Sequence, residues 1–324
     1  MLPVGITTGD HKGIGPEVIS KGLARCNVSS SSFVIFGDTS CFTPFRNLFK
    51  KPWNISSEAE FLDPNWKLKK NMINFVVPDK CRSADNACGR YIELATHGVL
   101  KKKLSSICTG PIDKTALRKG GYQYNGHTDM LEDLTRSTVT MLLAGNKMKV
   151  SLVTTHIPLN KVSGSLSKKN ICLAINNTIT GLKDYFRIRN PRIAVLGLNP
   201  HAGDSGLFGN EEKKIILPAI SLSKKNNPNN VVEGPFAPDG FFAQWTKRHS
   251  KKFDAIVCMY HDQGLIPIKL IDFEDSVNIT LGLPFLRTSV DHGTGFDIAG
   301  KNMANAGSFI SAFKLAYNYA RKHR

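Results

Sequence analysis

Three histidines each stand at the end of an apolar, β-branched run. His156 follows Val150–Thr155 (VSLVTTHIPL), His201 follows Ile193–Pro200 (IAVLGLNPHAGDSG) and His261 follows Asp254–Tyr260 (FDAIVCMYHDQG). Runs of this kind read as strands buried on both faces. In open parallel sheets, ligands collect beyond the carboxyl ends of the strands. Three neutral imidazoles there suit a divalent transition ion and leave coordination positions open for a substrate. Such an ion can polarise a substrate hydroxyl and stabilise an enolate after decarboxylation. The spacing matches no compact motif such as H-E-x-x-H, so three separate loop histidines remain the alternative on topology alone. Asp262, beside His261, can orient the ring, accept a proton as a catalytic base, or cap a loop.

Other segments could hold anions or a nucleotide. Gly9–Glu17 (GDHKGIGPE) joins the first strand to a helix that begins near Pro16. That helix would aim its positive end at an anion, but neither G-x-G-x-x-G nor a P-loop is present, and a tight strand-to-helix turn explains the glycines as well. His127 and Thr128, in Gly126–Asp129, could bind phosphate or carboxylate; an N-cap at Thr128 or Asp129 is the plainer expectation. Lys269, Asn278 and Arg287 form a spaced trio of donors for an anionic substrate, or ordinary surface residues. Near the C-terminus, Asp291–Gly300 (DHGTGFDIAG) interleaves glycines with polar side chains, as a loop folded around a nucleotide would, with Asp297 able to accept from ribose or adenine.

The elements that must position these residues alternate. Strands are expected at Val4–Thr8, Phe33–Phe36, Ile73–Val77, Ser106–Thr109, Val150–Thr154, Ile193–Leu198, Ala255–Met259 and Val277–Leu281. Helices are expected at Pro16–Ala24, Gly89–Lys103, Asn210–Lys225, Gly240–Lys247 and Gly307–Arg321. The alternation argues for an α/β architecture with a mainly parallel sheet. Lys51–Lys70 reads as irregular and Ser221–Val231 as a surface loop.

The totals bound the rest. At 324 residues, 41% hydrophobic and 21% charged, the chain suits one large or two medium α/β domains. No apolar run reaches the roughly 20 residues needed to span a bilayer, and Met1–Gly5 enters a strand without a basic leader, so a cytoplasmic enzyme is expected. The seven cysteines (Cys26, Cys41, Cys81, Cys88, Cys108, Cys172, Cys258) form no C-x-x-C pair and read as free thiols in a reducing compartment. The formal charge of +17 invites a nucleic-acid partner. Yet the basic residues lie in short dispersed runs (Lys67–Lys70, Lys101–Lys103, Lys168-Lys169, Lys224-Lys225, Lys247–Lys252, Arg321–Arg324) with no binding motif, which favours a solvated basic surface and neither nucleic acid nor membrane as partner.

Together the segments resemble the 4-hydroxythreonine-4-phosphate dehydrogenase family of pyridoxal phosphate biosynthesis. The stretches that carry the resemblance are GITTGDHKGIGPEV (5–18), TGPIDKTAL (109–117), NGHTDML (125–131), TTHIPL (154–159), GLNPHAGDSGLFGNEE (197–212), GPFAPDGFF (234–242), YHDQGLIPIK (260–269) and VNITLGLPFLRTSVDHGTGFDIAG (277–300). The resemblance implies the isocitrate/isopropylmalate dehydrogenase-like fold, with two α/β domains and a cleft between them. It places a cofactor-side domain at 1–125 with 285–324, and a substrate, metal and dimerisation domain at 126–284. It further implies a homodimer whose metal site, shared between subunits, uses His156, His201 and His261, with zinc, cobalt, magnesium or manganese as the ion. His127, Thr128, Lys269, Asn278 and Arg287 correspond to the family's substrate-binding positions. His292, Gly293, Thr294 and Asp297 resemble the loop around the adenosine half of NAD or NADP in isopropylmalate dehydrogenases.

The implied reaction oxidises 4-phosphohydroxy-L-threonine at C3 to 2-amino-3-oxo-4-phosphooxybutanoate. Decarboxylation then gives 3-amino-2-oxopropyl phosphate, which passes to pyridoxine 5′-phosphate synthase. The sequence departs from the family's commoner residues at His11-Lys12, Gly110, Asp113 and Phe296. A dehydrogenase of D-threonate or D-erythronate 4-phosphate is therefore the alternative. Phosphate acetyltransferases share the fold but need no three-histidine metal site.

Overall fold

The computed structural model describes residues 1–78, 84–272 and 276–322; Cys81, and the last two residues of the Arg321–Arg324 run, lie outside them. The chain forms two compact units, Met1–Ser137 with Leu283–Arg324, and Thr138–Gly282. Strands are numbered β1 (Val4–Thr7), β2 (Phe33–Phe36), β3 (Trp53–Ser57), β4 (Ile73–Val77), β5 (Ser106–Thr109), β6 (Thr140–Ala144), β7 (Lys149–Leu152), β8 (Arg192–Leu196), β9 (Val231–Phe236), β10 (Ala255–Cys258), β11 (Val277–Leu281) and β12 (Leu286–Ser289). The longer helices are α1 (Gly15–Arg25), α2 (Ala84–Leu100), α3 (His127–Thr135), α4 (Lys168–Phe186), α5 (Leu217–Asn226), α6 (His261–Asp272) and α7 (Gly307–Lys322).

In the first unit the strand order is β3-β4-β2-β1-β5-β12, every neighbouring pair parallel. Strands β1, β2 and β5 are four-residue runs buried throughout, as strands covered on both faces must be. Helix α7 lays Phe309 and Phe313 into the core, their rings stacked at 6.0 Å, and Phe313 meets Phe33 edge-on at 6.0 Å. Truncating so large a buried ring to alanine costs about 3–5 kcal/mol.

The second unit runs β11-β6-β7-β10-β8-β9. Here β6 is antiparallel to both β11 and β7, and the remaining pairs are parallel. One face is covered by α4 and α5, with Ile175, Ile179 and Leu182 packed on Ile193, Val195 and Val257. The other carries Phe241, Trp245, Phe253, Leu265 and Ile268.

The compact units divide at 137/138, with α3 packed against α2 of the first unit, and the chain returns to that unit at Leu283. Several expectations about individual elements need correction. Lys51–Lys70 is not irregular: it holds β3 and a short helix, Glu58–Leu62, started by a Ser57/Glu60 capping box. Edge strand β3 is largely half-exposed, so it lacks the apolar run of an inner strand. Ser221–Asn226 belongs to α5, leaving a turn of only four residues before β9. The helix expected from Asn210 opens with a π-turn, Glu212–Ile216. No helix among the described residues is long and apolar enough to cross a membrane. The six described cysteines are all free thiols, and five are buried.

Candidate functional site

In the second unit the strand ends that carry the histidines are fastened to one another. Beyond β7, the Val153 N–H donates to the Cys258 carbonyl at 2.9 Å, and both the N–H and Oγ1 of Thr154 donate to the Met259 carbonyl, at 3.2 and 2.7 Å. Two residues on from each of those partners the chain reaches His156 and His261, whose ring centroids stand 5.6 Å apart. Gln263, buried in the first turn of α6, accepts from the Met259 N–H and donates to the Gly197 carbonyl, both at 2.7 Å. This amide ties the end of β10 to the end of β8, four residues before His201. Neither Thr154 nor Gln263 stood out in the sequence, since an isolated polar residue in a loop carries no periodicity.

His261 opens α6 rather than sitting in a loop, and Asp262 lies in the helix's first turn. Asp262 Oδ1 is 2.6 Å from His261 Nδ1. A carboxylate on Nδ1 fixes the ring and leaves Nε2 to face a ligand, the usual arrangement behind metal-bound histidine.

His201 is held differently. Five consecutive residues, His201 to Ser205, have positive φ between 39° and 83°. Left-handed backbone costs about 1–2 kcal/mol per non-glycine residue, so the turn must be held by its surroundings. Glu212, 5% exposed, does this: Oε1 accepts the N–H groups of Leu198 and Asn199 at 2.8 Å, and Oε2 accepts from Asn199 Nδ2 at 3.0 Å. Within one chain His201 does not join the other two. Among the described residues no group of three His, Cys, Asp or Glu side chains is placed to hold an ion. The imidazole pair of His156 and His261 could supply two ligands to a divalent ion.

In the first unit Arg287, on β12, is 2% exposed. Its Nε and Nη2 donate to Thr109 Oγ1 on β5 at 3.1 and 2.7 Å. Burial pushes its pKa down to about 10, so the guanidinium stays charged at neutral pH. His127 begins α3 with Gly126 as N-cap, which displaces the caps expected at Thr128 or Asp129; both lie inside the helix. The residue is half-buried, but His127 Nε2 is sealed from solvent and has no hydrogen-bond partner. Burial first, and the Arg287 charge second, hold its pKa well below the ordinary histidine value. The ring is therefore neutral, next to a buried cation, with one nitrogen unsatisfied. Thr128 follows in the same first turn, whose N–H groups face outward.

Lys269 and Asn278 lie in the second unit, in the last turn of α6 and on β11; both are half-buried. Their donors are placed on separate elements.

The last loop folds onto the first. The Ile14 N–H donates to the Thr294 carbonyl at 2.8 Å, and Gly13 lies so close that a Cβ would stand 2.6 Å from that oxygen. His292 Nδ1 is 2.9 Å from the Gly293 carbonyl, so Nδ1 carries the proton and Nε2 is an acceptor. That Nε2 is sealed from solvent and unpartnered. Gly293 and Asp297 are exposed. An acceptor nitrogen and a free carboxylate on one loop suit the amino and hydroxyl donors of an adenosine moiety.

The two α/β units, one with a parallel sheet and one with a mixed sheet, belong to the isocitrate/isopropylmalate dehydrogenase-like fold class. The isocitrate dehydrogenase of Methylococcus capsulatus superposes over 99% of this chain and 88% of its own at TM-score 0.51 and 14% identity, a likeness of fold alone. Closer relatives give the family. The family model "Pyridoxal phosphate biosynthetic protein PdxA" matches residues 30–316. The 4-hydroxythreonine-4-phosphate dehydrogenase of Sulfurihydrogenibium sp. (strain YO3AOP1) is 40% identical over 98% of both chains. The D-threonate 4-phosphate dehydrogenase of Salmonella typhimurium (strain LT2) is 38% identical over 98% of both. A crystal structure of 4-hydroxythreonine-4-phosphate dehydrogenase from Klebsiella pneumoniae covers 99% of this chain and 100% of its own, at TM-score 0.81 and 35% identity. The chain belongs to the PdxA family of 4-hydroxythreonine-4-phosphate dehydrogenases, which are oxidoreductases.

Proposed function

We propose that the protein oxidises 4-phosphohydroxy-L-threonine at C3, passing a hydride to NAD or NADP and releasing a proton. The β-keto acid formed, 2-amino-3-oxo-4-phosphooxybutanoate, loses carbon dioxide to give 3-amino-2-oxopropyl phosphate for pyridoxine 5′-phosphate synthase. The observation that carries this reading is the buried Arg287 beside the sealed, unpartnered Nε2 of His127. A phosphate monoester supplies the charge and the hydrogen-bond partner that this environment favours. Thr128 adds a hydroxyl at the same helix N-terminus, and Lys269 and Asn278 serve the substrate's other polar groups. The loop of His292, Gly293, Thr294 and Asp297 takes the adenosine half of the cofactor.

His156, His201 and His261 hold one divalent ion, which supplies Lewis-acid polarisation of the oxygen at C3. Zinc, cobalt, magnesium and manganese are the candidates. Asp262 orients His261 and is the candidate base for the hydroxyl proton. The protein acts as a homodimer, with His156 and His261 from one subunit and His201 from the other. Exposed apolar side chains support this: Ile157 (38%) and Leu159 (73%) follow His156, Leu207 (74%) and Phe208 (48%) follow His201, and Ile266 (59%) and Leu270 (81%) follow His261. Apolar surface repeated beside each ligand is what a second copy would cover.

The test is NADH or NADPH formation from 4-phosphohydroxy-L-threonine with a divalent ion and with EDTA. Metal-dependent turnover, lost in His201→Ala, is expected. The Salmonella typhimurium relative motivates a second reading, oxidation of D-threonate 4-phosphate. That compound keeps the phosphate but carries a hydroxyl in place of the amine, so parallel rates on the two decide between them.

A further inference from the structure

The Gly9–Glu17 turn is explained only partly by the need for a sharp bend. Beyond Ile14, which holds Thr294, the next turn of α1 presents Glu17, 1% exposed. Its Oε1 accepts the Ala304 N–H at 2.8 Å and Lys21 Nζ at 2.6 Å. Lys21 Nζ also donates to the carbonyls of Asn302 and Ala304, at 2.8 and 3.1 Å. An ammonium has three donors, and here each has an acceptor. Asn302 sits at φ +58°, a conformation that needs local support. The other oxygen, Glu17 Oε2, is sealed from solvent without a partner.

The segment that carries the cofactor candidates is thus pinned at both ends to one helix. Thr294 is held by the Ile14 amide, and 302–304 by the Glu17–Lys21 pair. Between the pins lie Gly295 and Gly300, both at positive φ, and the exposed Asp297. A loop with two left-handed glycines has many alternatives once one end is released.

We infer that Glu17 and Lys21 are positioning residues for dinucleotide binding: they hold the far end of the His292–Gly300 loop in its binding shape without touching the cofactor. This rests on the reading of that loop as the adenosine site. Preorganisation of this kind shows as affinity, because the ordering cost is met before the ligand arrives.

The experiment uses the full-length protein and no turnover. Binding of NAD and NADP is measured by calorimetry for the parent, Lys21→Met and Lys21→Arg, alongside binding of 4-phosphohydroxy-L-threonine alone. Amide hydrogen exchange is followed at 294–304. Lys21→Met is expected to weaken dinucleotide binding about tenfold, to speed exchange at Ala304, and to change phosphosubstrate binding less than about twofold. Lys21→Arg, which keeps the charge and donors, should recover part of the loss. If Lys21→Met does not fold, Lys21→Gln, which keeps a donor for the Asn302 carbonyl, carries the same comparison. A folded variant with unchanged dinucleotide affinity overturns the inference while leaving the loop assignment standing. A parent protein that binds neither NAD nor NADP overturns both.

Discussion

Arg287 and Thr109 lie on the same face of adjacent strands, two register positions apart, with two guanidinium nitrogens, Nε and Nη2, donating to one hydroxyl oxygen at 3.1 and 2.7 Å. The hydroxyl fixes the rotation of a charge that is 2% exposed. Thr109→Val keeps the shape and removes the acceptor. The expected outcome is a loss of about 1–3 kcal/mol in urea unfolding and a KM for the phosphorylated substrate raised about tenfold, with little change in the dinucleotide KM. An unchanged substrate KM would remove Arg287 from the anion site.

His127 should leave a mark on stability against pH. Its folded pKa lies well below 6.5, while in the unfolded chain the ring takes a proton near pH 6.5. Below that pH the unfolded state binds the extra proton. The native state therefore keeps its full stability above about pH 6.5 and loses it as pH falls toward the folded pKa. His97 and His249 are lowered too and act in the same sense. Denaturant midpoints between about pH 7.5 and 5 should slope less steeply in His127→Gln than in the parent; equal slopes would show that the ring is not held neutral.

The proposed division of ligands between subunits can be tested by complementation. His156→Ala and His201→Ala should each be inactive alone. In a mixed dimer one site collects both defects and the other collects none. Unfolding and refolding the two variants together in equal amounts should restore about a quarter of the parent activity. No recovery, with mixed dimers present, would place all three histidines in one chain's site.

Glu212 offers a test away from the proposed metal ligands. Replacing it with alanine removes the acceptor for the Leu198 and Asn199 amides. A loss of about 2–3 kcal/mol is expected, together with metal binding weakened through the relaxed His201–Ser205 turn. Calorimetric titration with zinc checks this, and parent-like affinity would count against the turn as a ligand support.

How much of this was legible beforehand depended on the pattern each element leaves. Inner strands such as Phe33–Phe36 and Ser106–Thr109 are short runs buried on both faces, and their limits were readable. β12 was not, because its second residue is Arg287, a charge in a strand interior that only the fold explains. α6 was hidden by Gly264 and Pro267 inside it, although Pro267 is tolerated. α4 was hidden by its asparagines, threonines and β-branched residues, which are weak helix formers; its amphipathic packing overrides them. The three proposed ligand histidines could be picked out from their places after strands. Their supports, Gln263, Thr154 and Glu212, could not, since each acts by a hydrogen bond between segments far apart in sequence.

The first unit is assembled from both ends of the chain, and β12 together with α7 completes it against β5. During synthesis the edge of β5 has no neighbour on that side until all of 138–282 has left the ribosome. An unpaired apolar edge is an invitation to aggregate. The nascent chain therefore carries its greatest exposure late in translation, and a truncation that spares every proposed ligand but deletes α7 should still yield insoluble protein.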